Sequence, residues 1–347
     1  MVIMDNDWGS ITFIPFLLAL KADWKVLGLT SCTCNSWEHQ QSLHALATLA
    51  LGNLTSCVPI IQGATFPLLN TYQRFQAWEM VHGALPYEGV FRPYNATREA
   101  LGSDPTAGDD PWRIIPEAFI EGFPSAALIN ALHSNPANAA SFMVEQVRKY
   151  PGQVSIYVAG AMTNVALAVR MDPQFASLAK ELVIMGGYLD INLFQVRGSL
   201  QQADDNSDIN LMIDPEAAKI TLTAAWPSIK IAGNVANQVI NSQAFVDEVY
   251  QVKNPYSTVF YNNYGTYFPF WDETAAALMV DPSIILNSTT LYVDVDTSYG
   301  SPSYGNLHAY QKALMPTGVR NVTYIHQIDG ERLHGMIKAA VQYPASC

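Results

Sequence analysis

The sequence contains no apolar run that approaches the roughly 18 to 20 residues a membrane-spanning helix needs, which excludes a bilayer span of that kind. Basic residues are also scarce. The chain carries 18 Lys and Arg against 30 Asp and Glu, a formal net charge of −12, and this argues against nucleic acid or an anionic membrane as a partner. The seven histidines form no cluster, and Cys32-Thr33-Cys34 is spaced too closely for an ordinary zinc site. There is no internal repeat and no low-complexity tract. The opening MVIMDND holds neither a charged n-region nor an apolar h-region. A first strand beginning at residue 2 therefore suggests that any signal peptide was removed or lies outside this sequence.

What is present begins with 347 residues and 49% hydrophobic content, enough for a large core and here read as one domain over 1–347. Four sequons, at Asn53, Asn95, Asn287 and Asn321, exceed chance and point to the secretory pathway or outside the cell. The four cysteines, Cys32, Cys34, Cys57 and Cys347, allow three pairings and fit an oxidising compartment, with no thiol expected to be free. As the final residue, Cys347 would serve as a staple for the tail, to Cys57 among others.

Strand and helix patterns alternate for most of the chain. Strands are expected at the apolar run ending in Asp5-Asn6-Asp7, at 25–30, 59–63, 154–159, 182–185 and 229–232. Helices are expected from Phe13 to Leu20, opened by Ser10 or Thr12, and at 36–51, 139–149, 163–170, 215–225 and 271–279. A hairpin pairs 290–296 with 323–327. Residues 65–124 show little periodicity and read as an insertion or loops around a site. Repeated strand–helix units imply an α/β fold, a mainly parallel open sheet with helices on both faces. The polar clusters then share one sheet edge: Asp5 and Asp7, Asn35, the segment from Ala159 to Asn164, the loop from Gly186 to Asn210, and Asp272. Ligands of open α/β sheets bind at that edge, in the crevice beyond the strands' carboxyl ends.

Five elements in order carry a resemblance. Asp5-Asn6-Asp7 before an LLAL helix, Gly160-Ala161-Met162-Thr163-Asn164, Met185-Gly186-Gly187, Asp208-Ile209-Asn210 followed by Asp214-Pro215-Glu216-Ala217-Ala218, and Trp271-Asp272 together resemble the inosine-uridine preferring nucleoside hydrolases over nearly the whole chain. The resemblance implies cleavage of a ribonucleoside's N-glycosidic bond, a bound calcium ion, no organic cofactor, and a homo-oligomer such as a dimer. It implies that Asp7 is both metal ligand and general base, with Asp272, Thr12 and the Ala159 carbonyl as further ligands. Asn35, His82, Asp208 and Asn210 would face the substrate, and Trp271 would stand where some relatives carry a His that assists the leaving base. Asp5 is either an acid–base group or the residue that shapes the turn, and Asn164 is read as structural.

The opening turn departs from the family. Where relatives continue with a pair of aspartates, this chain has Ile11 and Thr12, so a ribose contact is lost and a charged metal ligand is exchanged for a neutral one. Calcium would be weakened or absent. Three readings follow: a nucleoside hydrolase with an altered metal site, a repurposed metal-free lyase, isomerase or cyclase using Asp5, Asp7 and Asp272, and a non-catalytic small-molecule binder.

Overall fold

The computed structural model describes residues 1–9, 12–83, 89–91, 111, 138–189, 208–266 and 268–346, without the His82 side chain. Elements are numbered in chain order over these residues. Nine strands form one sheet in the order β3-β2-β1-β4-β5-β6-β9-β7-β8. They are β1 (Val2–Asn6), β2 (Val26–Ser31), β3 (Ile60–Gln62), β4 (Ser155–Ala159), β5 (Glu181–Met185), β6 (Ile229–Ala232), β7 (Ile285–Val295), β8 (Leu307–Tyr310) and β9 (Arg320–Ile328). From β3 to β9 every pairing is parallel. β7 pairs antiparallel with β9 and β8, so antiparallel strands are present as expected. The pairing of 290–296 with 323–327 is met only at Thr290 opposite Thr323, because Tyr324 to Ile328 run back along Thr289 to Ile285 while Leu291 to Val293 face Val322 to Arg320.

The central strands are buried on both faces, and alternation along β1 assigns each face its core. Val2 and Met4 join the cluster made with α1 (Ile14–Lys21), α2 (Glu38–Leu51) and α11 (Trp271–Val280), whereas Ile3 joins the one made with α4 (Ala139–Lys149), α5 (Thr163–Met171) and α8 (Pro215–Leu222). The chain runs from β1 outward through β2 and β3, then returns to place β4 on the other side of β1. The topological switch point therefore lies between the carboxyl ends of β1 and β4. Open sheets of this kind place their ligand crevice there.

Three further expectations change. Helix α1 opens at Phe13, whose side chain makes no capping bond, with Pro15 in its first turn. Thr12 is not its cap because its hydroxyl accepts the Gly9 amide at 2.6 Å and closes the preceding turn. Within the supposedly irregular 65–124 stretch, α3 (Tyr72–His82) is a helix, capped by the Thr71 side chain on the Arg74 amide. It leaves Met80 and Val81 exposed, so its apolar residues do not mark a face. Finally, Cys32 and Cys34 are free and fully buried, which overturns the expectation that no thiol is free. Cys347 lies outside the described residues.

Candidate functional site

Asp5, Asn6 and Asp7 occupy the end of β1 and are all buried. The two aspartates are held differently. Asp5 Oδ1 accepts from the Thr30 hydroxyl at 2.5 Å and from Asn164 Nδ2 at 2.9 Å. Asn164 also donates to the Ser31 carbonyl and accepts the Ala64 amide, so it ties β1, β2 and α5 together and is structural as read. Asp5 sits in that web, a placement suited to shaping the turn. Asp7 is set by its backbone, with its amide donating to the Ala159 carbonyl at 3.3 Å. Gly160 lies directly beside it: a Cβ there would stand 3.0 Å from the Asp7 nitrogen and 3.3 Å from the Asp7 Cβ. Only a residue without a side chain lets β4 approach this closely.

Around Asp7 the other strand ends contribute amides, a thiol and a second carboxyl. Asn210 accepts from the Cys34 thiol at 3.5 Å and donates to the Met185 carbonyl at 3.1 Å. Both ends of its amide are engaged, joining the β2 and β5 edges. Asn35, half-buried, follows Cys34. Burial pushes the Cys34 thiol well up, and the nearby Asp7 charge raises it further, so this thiol is not a nucleophile. Asp208 accepts the Gly187 amide and the Asn210 amide, each at 2.7 Å. Gly186 has φ +131°, and a Cβ there would meet the Asp208 carboxylate at 2.7 Å. Asp208 thus fastens the β5 turn to the start of α7 (Ile209–Ile213).

Asp272 stands in the first turn of α11, where Tyr157 on β4 donates to its backbone carbonyl at 2.9 Å. Burial raises its carboxyl to about 7; Asn6 holds it down and the Asp208 charge pushes it up. These influences place Asp272 by both residues. Trp271 is half-buried, edge-on to Phe268, and its indole donates to Asn237 Oδ1 at 2.6 Å. The structure thus gathers Asp5, Asp7, Asn35, Ala159, Asp208, Asn210, Trp271 and Asp272 at one sheet edge. Thr12 is near in sequence but has its hydroxyl on Gly9, and His82 ends α3. Ser10 and Ile11 lie outside the described residues, as do Asp204 and Asp205, the loop acids that the sequence offers as compensation for the lost aspartate pair.

Sequence reasoning passed over Asn6, Cys34, Tyr157 and Glu273. Glu273 accepts from the Tyr264 hydroxyl at 2.9 Å, and burial with the Asp272 charge raises it to about 8. A Glu beside an Asp in a first helical turn looks like helix-end electrostatics, and nothing local marked it as buried.

Burial also lifts Asp5, Asp208 and Asp214 to about 6. Each of these acids, with Asp272 and Glu273, binds its proton more tightly folded than unfolded. Their protonation therefore favours the fold at acidic pH, and the gain is lost as pH rises through about 6 to 8. Without divalent cations, the melting temperature is expected to be lower at pH 8 than at pH 5.5. A rise over that interval would contradict the burial assigned to these carboxyls.

The family described as inosine-uridine preferring nucleoside hydrolase matches residues 2–335. A Schizosaccharomyces pombe protein is 35% identical over 335 residues, 92% of this chain and 79% of its own length. The probable uridine nucleosidase 1 of Oryza sativa subsp. japonica is 28% identical over 71% of this chain and 61% of its own length. Among solved structures, an inosine-guanosine nucleoside hydrolase superposes with a TM-score of 0.75 at 20% identity, covering 99% of this chain and 98% of that one. A plant nucleoside hydrolase gives 0.70 at 22%, covering 99% of each chain. At such identities the structural likeness establishes the fold, an open sheet with antiparallel strands toward the C-terminus.

Proposed function

The chain belongs to the inosine-uridine preferring nucleoside hydrolase family, and from that premise we propose that it hydrolyses the N-glycosidic bond of a ribonucleoside in the β1–β4 crevice, with Asp7 as the general base. The observation that carries this is the placement of the Asp7 carboxylate at the end of β1, at the switch point, with Gly160 packed against its Cβ. Water adds its oxygen to C1′ of the sugar and gives a proton to Asp7 as the bond from C1′ to the base nitrogen breaks. The base departs with the bonding electrons and takes a proton from solvent, while Asp7 returns its proton to solvent, so one water is consumed in net. Carboxylates near the sugar favour the oxocarbenium-like charge that develops. Trp271, fixed by Asn237, offers an aromatic surface beside the base.

The family implies calcium, and the donor chemistry here fits it poorly. Calcium takes about six to eight oxygens and its affinity follows the charge of its ligands. Asp7 and Asp272 are charged, but Thr12 is neutral and already bonded to Gly9, and Ile11 offers no donor. Among the described residues no group of three or more His, Cys, Asp or Glu side chains is arranged to hold a metal. We therefore read the metal site as altered. The same substitutions would suit a metal-free lyase or isomerase, so the deciding experiment is incubation with inosine and with uridine. Equal amounts of free base and reducing sugar support hydrolysis; neither product from a folded, metal-supplemented protein would refute it.

We place the protein in the secretory pathway. Asn53, Asn287 and Asn321 are exposed, as glycan acceptors must be, and Cys57 and Cys347 remain as the pair for one bridge once Cys32 and Cys34 are free. Protein from a eukaryotic secretory host should lose mass on deglycosylation and titrate two thiols when denatured. Four thiols and no glycan would place it elsewhere.

A further inference from the structure

We propose that Asn6 is a sugar-binding residue of this site, its amide taking two neighbouring hydroxyls of the pentose. The inference rests on the nucleoside reading above and adds a residue which that reading leaves without a role.

Asn6 is the last residue of β1 and fully buried; its Oδ1 has no hydrogen-bond partner, and its Nδ2 has none beyond the Asp272 carboxylate that it helps hold charged. This puts the amide at the crevice, between the end of β1 and the first turn of α11. Several other buried amides are satisfied at both ends, and Gln41 and Asn241 keep one end paired, Gln41 on the Ser36 carbonyl and Asn241 on the Gly265 carbonyl. Asn70 donates to the Met212 carbonyl and accepts the Thr71 amide, while Asn164 and Asn210 each bridge two segments. An unpaired buried polar group bears its full desolvation cost. A ligand that brings both partners removes that cost. An amide presents a donor and an acceptor side by side. Two adjacent hydroxyls match it, one accepting from Nδ2 and the other donating to Oδ1. In a chain where Ile11 has taken the place of a sugar-binding carboxylate, Asn6 supplies hydrogen bonds to the diol from the neighbouring strand end.

The test compares wild type with Asn6→Leu, which keeps the branched shape and removes both polar atoms. Melting temperatures are measured with and without D-ribose, and kcat/KM is measured for inosine, uridine and their 2′-deoxy counterparts. The proposal expects Asn6→Leu to melt no lower than wild type without ligand, because a buried amide with an unpaired oxygen has been removed. It expects the ribose-induced rise to vanish. It also expects the preference for ribo- over deoxyribonucleosides to fall at least about tenfold, as when a site loses its hydrogen bonds to a substrate hydroxyl. A variant that melts lower and keeps both the ribose response and the preference would show that the amide is satisfied within the fold or by water, and would overturn the inference. Cleavage of nucleosides by wild type with no change in Asn6→Leu defeats the inference alone. Absence of cleavage defeats the nucleoside reading, and the ribose arm then decides: a rise in wild type that Asn6→Leu lacks sustains the sugar site, and no rise in wild type ends it. Should Asn6→Leu not fold, Asn6→Ala serves the same comparison.

Discussion

Replacing Asp7 with Asn is expected to leave the protein folded and to lower nucleoside cleavage by roughly two or more orders of magnitude, the scale on which a general base contributes. The fold should survive because Asp7 is positioned by its backbone amide on Ala159 and by the contact with Gly160. The substitution alters neither. It removes a buried negative charge from beside the Cys34 thiol. Loss in kcat with little change in KM would mark an interaction made in the transition state. Full activity in a folded Asp7→Asn protein would remove Asp7 from the mechanism.

The second large effect concerns the altered turn. Changing Ile11→Asp and Thr12→Asp together is expected to build a calcium site from these carboxylates with Asp7 and Asp272. Calcium should then stabilise the double variant by RT ln(1 + [L]/Kd), about 2.7 kcal/mol at a hundredfold excess over Kd, and wild type by much less. Without calcium the variant should be less stable than wild type. Two new carboxylates would crowd Asp5 and Asp7, where burial already pushes Asp5 up to about 6, and the Thr12 bond to Gly9 would be lost. Melting temperature with and without calcium, for both proteins, reads each part. An equally strong response in wild type would show that Thr12 suffices as a ligand. No response in either would undo the placement of Asp7 and Asp272 as a cation pair.

Much of the fold was legible because parallel strands buried on both faces read as short apolar runs. β6 and α4 appear at the expected residues, and most of the other elements within one or two. Four helices were missed. α3 exposes Met80 and Val81 and shows no clean apolar face, and α9 (Gln243–Val249), α10 (Pro255–Asn263) and α12 (Gly330–Gln342) also went unread, although α12 buries Leu333, Ile337, Ala340 and Val341 at helical spacing and Thr71, Ser242, Asn254 and Asp329 stand as capping residues before these four. At the site, the order of polar clusters along the chain located the sheet edge correctly, since strand ends follow from strand placement. What residue types could not convey is how each polar group is spent. Asp208 and Asn210 read as sugar ligands, but their polar atoms bond the turn after β5, the start of α7 and Cys34. Asn6, one letter between two aspartates, carried no signal until its burial and unpaired Oδ1 were visible.

The most direct measurement of the central claim is the stoichiometry of free base and reducing sugar released from inosine and uridine by wild type and by Asp7→Asn, each treated with chelator and then given calcium. The account predicts one sugar per base from wild type and at least about a hundredfold less from the variant. Neither product from wild type under both conditions, or equal rates from wild type and Asp7→Asn, would contradict it.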